Sequence, residues 1–173
     1  MATTYTWANE YIKVIDRLWE EDAYDEGKQV LDSILLEEPD FAKAHAYAGW
    51  YAHYQSKDRK LARLHYELAL KFEPSLGYTY YHFAELLIEQ KDEARMKQLL
   101  DLGMDQEDAD KANLYNDFGR VLEINGKFEQ ASAFYKEGLK FTMNYFTMQN
   151  MKANRKRVRS KYHLFGRWYS FLL

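Results

Sequence analysis

The sequence predicts an all-α protein built from stacked helical hairpins, and three observations predict it. Large side chains recur at one period, with Tyr11, His45, Tyr80 and Tyr115 lying 34, 35 and 35 positions apart. Gly27, Ala62, Met96 and Ala131 repeat that spacing, and so do Leu31, Tyr66, Leu100 and Tyr135 four residues later. The only two prolines, Pro39 and Pro74, are also 35 apart. Each follows one apolar helical stripe and precedes the next, where proline ends a helix without breaking it. A period of this size marks a unit that cannot bury its own apolar face and must stack on a neighbour. An irregular helical bundle needs no fixed period.

Each element follows from the same pattern. The clearest unit is residues 115–139, where Tyr115, Phe118, Gly119 and Leu122 lie along one stripe. Asn125-Gly126 breaks the stripe, and Phe128, Ala131, Tyr135 and Gly138 resume it. Reading outward, the helix pairs fall at about 7–21 with 24–37, 41–56 with 59–72, 76–90 with 92–102, and 109–125 with 127–141. The stretch from Gly103 to Asp110 is acidic and the least regular. Small residues at Gly49, Ala84 and Gly119 allow the two helices of a pair to approach. Tyr66 and Tyr135 fill the space between repeats.

These residues resemble the tetratricopeptide repeat family, whose sketch is an aromatic, a large apolar and a small residue, an aromatic, then alanine, an aromatic and proline. The first copy has Tyr11, Val14, Ile15, Leu18, Gly27, Leu31 and Pro39. The second has His45, Ala48, Gly49, Ala52, Ala62, Tyr66 and Pro74, with one extra residue near Ser56 to Asp58. The third has Tyr80, Phe83, Ala84, Leu87, Met96 and Leu100, and the fourth Tyr115, Phe118, Gly119, Leu122, Ala131 and Tyr135. Ile15 and Met96 depart from the small-residue and alanine slots, and Asp108 and Met143 stand in the last two proline slots. The resemblance spans roughly residues 8–143.

It implies a solenoid, a right-handed superhelix of about four repeats over residues 1–143 (about 8–39, 42–74, 77–108 and 112–143), closed by a C-terminal capping helix in residues 144–173. It also implies a non-catalytic scaffold that binds a partner protein or peptide in a concave groove. By register, the groove slots hold Ile12, Asp16 and Trp19, then Ala46, Trp50, His53 and Tyr54. They continue with Tyr78, Tyr81, Glu85 and Glu89, and with Asn113, Asn116, Arg120 and Glu123. Trp50, Tyr54, Tyr78, Tyr81, Glu85, Asn116 and Arg120 form the expected partner-binding set.

Some relatives grip a terminal carboxylate with lysines, asparagines and an arginine. The matching slots here hold Ile12, Asp16, Tyr47, Tyr78 and His82, or one repeat later Ala46, Trp50, His82, Asn113 and Asp117. Neither set offers those cations, so no such clamp is expected. An aromatic groove with acids at its rim suits an amphipathic or basic segment.

Charge is strongly asymmetric. From Asn144 onward there are seven bases, Lys152, Arg155, Lys156, Arg157, Arg159, Lys161 and Arg167, and no acid. The rest of the chain is left with 17 bases against 27 acids, and the whole carries −3. Three readings compete for this segment. It is a capping helix whose stripe of Met148, Met151, Val158, Tyr162 and Phe165 covers the last repeat. Or its bases bind nucleic acid or an anionic membrane through residues 152–167. Or the apolar end, LFGRWYSFLL, self-associates or meets a partner, with Gly166 ending the helix. The basic, aromatic tail is itself a candidate occupant of the groove, in cis or in trans.

Other classes find no support. Without cysteine there is no disulfide or thiolate chemistry. The amino terminus contains acids and no signal-type apolar core, and no run approaches a membrane span, so a cytoplasmic protein is expected. Hydrophobic content of 47% with 29% charge fits a folded core. His45, His53, His65, His82 and His163 form no zinc-hydrolase pair, and no phosphate-cradling or nucleophile-elbow motif occurs. No enzyme, metal site or cofactor is therefore expected. His45 occupies an aromatic packing slot and is read as a core histidine.

Overall fold

The computed structural model describes residues 6–169, with side chains through Tyr162. The described chain is all-α: α1 (Thr6–Glu20), α2 (Tyr24–Glu37), α3 (Ala42–Tyr54), α4 (Arg59–Phe72), α5 (Gly77–Gln90), α6 (Glu93–Met104), α7 (Lys111–Ile124), α8 (Phe128–Gly138) and α9 (Tyr145–Tyr169), with a short 3-10 turn at Leu139–Phe141. It divides within α5 into two compact units, Met1–Phe83 and Ala84–Leu173.

In the first unit, α1 and α2 enclose Ala8, Ile12, Ile15, Leu31 and Ile34, against which Phe41, Ala44 and Ala48 pack. Ile12, a groove slot by register, is therefore a core residue. Tyr11 and Val14, expected at packing slots, are 48% and 41% exposed. No described helix precedes α1 to cover them. The second hairpin is tighter. A Cβ at Gly49 would lie 2.5 Å from the Tyr66 ring, so the buried tyrosine of α4 needs glycine opposite it on α3. In the first hairpin the close approach moves to α2, where a Cβ at Gly27 would lie 2.2 Å from Trp19 Nε1. Ile15 is accommodated where the other copies carry a small residue.

The turns inside the hairpins are periodic in backbone conformation. Asp22, Lys57, Lys91 and Gly126 all take positive φ, at 59°, 58°, 55° and 77°. The amide of Ala23 bonds to the Leu18 carbonyl at 2.8 Å, that of Asp92 to Leu87 at 3.0 Å and that of Lys127 to Leu122 at 2.8 Å. This six-to-one closure satisfies carbonyls that the helix end leaves open. The fourth turn uses glycine, and the other three hold a side chain in the left-handed region. Three helix starts are fixed by aspartates: Asp58 Oδ1 accepts from the amides of Lys60 and Leu61, Asp92 from Arg95 and Asp110 from Asn113.

Two joints between hairpins are also built alike. His45 Nε2 lies 2.9 Å from the Pro39 carbonyl, and Tyr80 Oη donates to the Pro74 carbonyl at 2.7 Å. In each case a side chain at the same repeat position closes off the chain reversal at the proline.

In the second unit, a Cβ at Gly119 would lie 2.6 Å from the Tyr135 ring, matching Gly49 and Tyr66. α6 runs on to Met104 and buries Gly103, so the irregular stretch is confined to residues 105–110. α9 lies against α7 and α8, burying Met151, Asn154 and Val158. The expected capping stripe needs two corrections. Tyr162 is 48% exposed and lies off it, and a polar residue, Asn154, sits in its centre. Nor does Gly166 end the helix, which continues to Tyr169. The side chain of Phe165 and the apolar end of the tail lie outside the described residues.

Candidate functional site

Two side-chain clusters hold the residues that the sequence singles out, one in each unit. The first lies where α1, α3 and α5 present side chains on one face. Ala46, Tyr47 and Trp50 lie on adjacent turns of α3, and Tyr78 and His82 stand at i and i+4 on α5. With Trp19 of α1 they line a cleft of about 320 Å³. The Trp19 ring stacks on Trp50 at 4.8 Å and on Tyr47 at 5.4 Å between centroids, and Tyr78 meets Tyr47 edge-on at 6.4 Å. Trp50 also packs on Tyr54 at 5.5 Å, and Tyr54 Oη lies 3.3 Å from His82 Nδ1.

The rim of this cleft is acidic. Tyr47 donates its hydroxyl to Asp16 Oδ1 at 2.6 Å. Burial and then this bond raise the Tyr47 phenol well above its ordinary value. Burial also raises the Tyr78 phenol, and Tyr47, Glu73 and Asp16 add to the shift. The rings are not sealed in. Tyr78 is 41% exposed, and Tyr81, whose ring meets His82 at 5.0 Å, is 56% exposed.

Of the expected set, Trp50, Tyr54, Tyr78 and Tyr81 thus fall in or beside one cleft of the first unit. Tyr47 and His82 line it as well, although register placed them only among the slots of a carboxylate clamp. The signal that could have found His82 is its i, i+4 spacing from Tyr78. His53, a groove slot, is buried and stacks on Tyr54 at 4.1 Å.

The second cluster is a polar network. Arg120 donates to Glu85 at 2.8 Å and to Asp117 at 3.2 Å. Asn116 donates to Asp117 and accepts from Asn154 of α9 at 2.9 Å. Arg157 donates to the Asn154 side chain at 2.8 Å, and to both oxygens of Glu123 at 2.9 and 2.6 Å. Lys161 also donates to Glu123, at 2.7 Å, and the Tyr135 hydroxyl donates to it at 3.0 Å. Burial alone would raise the Glu123 carboxyl. The bonds from Arg157, Lys161 and Tyr135 outweigh it and hold the group at about 2. At Asp117 burial wins over Arg120, and the carboxyl rises to about 6.

This network changes what the remaining predicted residues can do. Asn116 and Glu123 are buried and bonded to α9, and Arg120 and Glu85 pair with each other. The basic segment divides. Arg157 and Lys161 are committed to Glu123. Lys152, Arg155, Lys156 and Arg159 make no salt bridge among the described residues and line a cavity of about 430 Å³ with Ser160. The Arg155 Nε is buried without a hydrogen-bond partner. Arg167 lies beyond the described side chains.

Among the described residues no group of three or more metal-ligating side chains is placed to hold an ion, and no helix is long and apolar enough to cross a membrane. No protein-family model matches the chain, and no curated protein matches it. Solved structures do. One, from a functional characterization of Pseudomonas aeruginosa PilF, has a TM-score of 0.62 at 20% identity and covers 92% of this chain and 75% of its own. MamA from Desulfovibrio magneticus RS-1, residues 41 to the end, gives 0.61 at 15% identity over 90% and 91%. A MamA RS-1 double mutant gives 0.59 at 12% over 89% and 95%. At these identities the likeness shows the fold, an all-α helical repeat closed by a final helix.

Proposed function

We propose that this protein is a non-catalytic interaction module that holds a segment of a partner protein against the aromatic cleft of its first unit. One observation carries the reading: Trp19, Tyr47, Trp50, Tyr78 and His82 surround a cleft of about 320 Å³, and Tyr78 at its wall stays 41% exposed. Aromatic side chains give large contact area at small entropic cost and anchor many interfaces. The helical-repeat fold supports the reading, because hairpins stacked on neighbours present such a surface preformed and lower the cost of ordering it.

A second reading has its own observation. Lys152, Lys156 and Arg159 share the outward face of α9 and lack acidic partners among the described residues, while Phe146 near its start is 81% exposed. That surface suits nucleic acid or an anionic membrane. Self-association through the apolar tail concerns residues whose side chains lie outside the described part.

The test is capture of partners by the full-length chain from its source lysate, nuclease-treated, beside two variants. Tyr78→Ser with Tyr81→Ser alters exposed rings of the first unit. Lys152→Gln, Lys156→Gln and Arg159→Gln together remove the cations of the α9 face. A partner lost only with the tyrosines supports the cleft. A partner lost only with the cations, or released steeply by salt, contradicts it in favour of α9.

A further inference from the structure

We infer that the aromatic cleft receives a cationic side chain, the guanidinium of arginine or the ammonium of lysine, from the partner segment. This rests on the docking role proposed above for the same cleft and adds the chemistry of the residue that enters.

The surroundings of the cleft decide which side chain it suits. Its walls come from Trp19, Tyr47, Trp50 and Tyr78, and its lining includes the small, buried Ala46. Tryptophan and tyrosine faces carry the negative end of the ring quadrupole and attract cations within about 6 Å. One carboxylate is fixed beside those rings. Asp16 accepts the Tyr47 hydroxyl at 2.6 Å, and the charge of Glu73 contributes to raising the Tyr78 phenol. Among the described residues neither Asp16 nor Glu73 makes a salt bridge. Burial and then Asp16 raise the Tyr47 phenol, and burial and then Tyr47, Glu73 and Asp16 raise that of Tyr78.

These features separate three occupants. An acidic side chain meets the Asp16 carboxylate and rings whose faces carry the same sign. An apolar side chain gains contact area, but covering the cleft then draws water away from a carboxylate that makes no salt bridge, which costs free energy. A cation gains ring contact and pairs with Asp16, whose second oxygen remains available after Tyr47 has bonded the first. Tyr47 therefore acts as a positioning residue, holding the carboxylate at the rim while its ring forms the wall.

The test uses the full-length chain and three capped pentapeptides, Ac-Gly-Gly-X-Gly-Gly-amide, with arginine, norleucine or glutamate as X. Binding is followed by NMR at the indole N–H signals of Trp19 and Trp50. The arginine peptide is expected to bind about tenfold more tightly than the norleucine peptide, with no response to glutamate. Asp16→Asn is expected to weaken the arginine peptide about threefold and leave norleucine unchanged. Tyr47→Phe keeps the ring and frees the carboxylate, and should weaken arginine binding alone. If norleucine binds as well as arginine, the cationic inference fails while the cleft stands as an apolar docking site. If none of the peptides moves either indole at millimolar concentration, both the inference and the docking role of the cleft are overturned.

Discussion

Arg157 of α9 grips Glu123 of α7 with two hydrogen bonds, at 2.9 and 2.6 Å, although Glu123 is only 8% exposed. The pair explains how a strongly basic helix caps an otherwise acidic chain. Removing the arginine leaves a buried carboxylate short of its main partner, which costs more than the pair itself contributes. Arg157→Met is therefore expected to lower stability by about 1–2 kcal/mol in urea unfolding at neutral pH, the half-exposed arginine keeping the loss at the low end for such pairs. Lys156→Met, at an exposed position without an acidic partner, should change it by less than about 0.5 kcal/mol.

The same pair sets an acid limit. The folded Glu123 carboxyl is held at about 2, below its unfolded value of 4.5. A depressed carboxyl contributes stability above the unfolded value and loses it as pH falls through the folded one. The difference between Arg157→Met and the parent should therefore shrink between pH 4.5 and pH 2. Asp117 runs the other way. Burial raises it from 3.8 to about 6, so its contribution is present below 3.8 and lost as pH rises through 6. Asp117→Asn should become more favourable relative to the parent as pH rises from about 4 to about 8, measured by the same unfolding curves.

His45 and His65 give a further acid sensitivity. The Pro39 carbonyl can only accept, so His45 Nε2 carries a proton toward it at 2.9 Å. His45 Nδ1 is then the acceptor for His65 Nδ1–H at 3.0 Å, an arrangement that requires a neutral His45 ring. Burial, then the neighbouring His45 and Lys28, lower His65 to about 4, and burial lowers His45. The unfolded chain binds protons first as pH falls below 6.5, so stability is lost between pH 6.5 and pH 4. His65→Gln should flatten that part of the stability profile.

Close approach at the hairpins predicts a steric cost. A Cβ at Gly119 would sit 2.6 Å from the Tyr135 ring, which is itself fully buried and bonded to Glu123. Gly119→Ala is expected to destabilise by about 1–3 kcal/mol, despite the better helix propensity of alanine. Gly49→Ala should do the same against Tyr66. An unchanged midpoint in thermal unfolding would contradict this packing.

The left-handed turns predict a gain. Lys57 and Lys91 hold φ at 58° and 55° where the fourth repeat uses Gly126. Lys57→Gly or Lys91→Gly removes the Cβ clash of that conformation, and each is expected to stabilise by about 0.5–1 kcal/mol in equilibrium unfolding.

The repeat period and helix pairs were legible because close packing writes itself into sequence as small residues facing large ones, as at Gly49 with Tyr66 and Gly119 with Tyr135. The turn conformation was not legible, since Asp22, Lys57 and Lys91 carry no glycine to mark it. Register placed Trp50, Tyr54 and Tyr78 on one side of the hairpins, because i and i+4 positions on a regular helix share a face. It also put Ile12 and Asn116 in the groove. Ile12 enters the core of the first hairpin. Asn116 is covered by α9, whose path over α7 depends on the Asn154 and Arg157 bonds, and no sequence spacing encodes those. The seven bases of the last segment look alike in sequence, yet Arg157 and Lys161 are set apart by a buried glutamate 34 and 38 positions earlier.

That a partner segment lies against the aromatic cleft is tested most directly by placing a photo-crosslinking phenylalanine analogue at Tyr81 and, separately, at Leu64. Both positions are exposed, at 56% and 51%, and Leu64 lies on α4 outside the residues that line the cleft. A cleft that holds the partner gives a crosslinked partner protein from position 81 and none from position 64. A partner that crosslinks from position 64, with none from position 81, would contradict it.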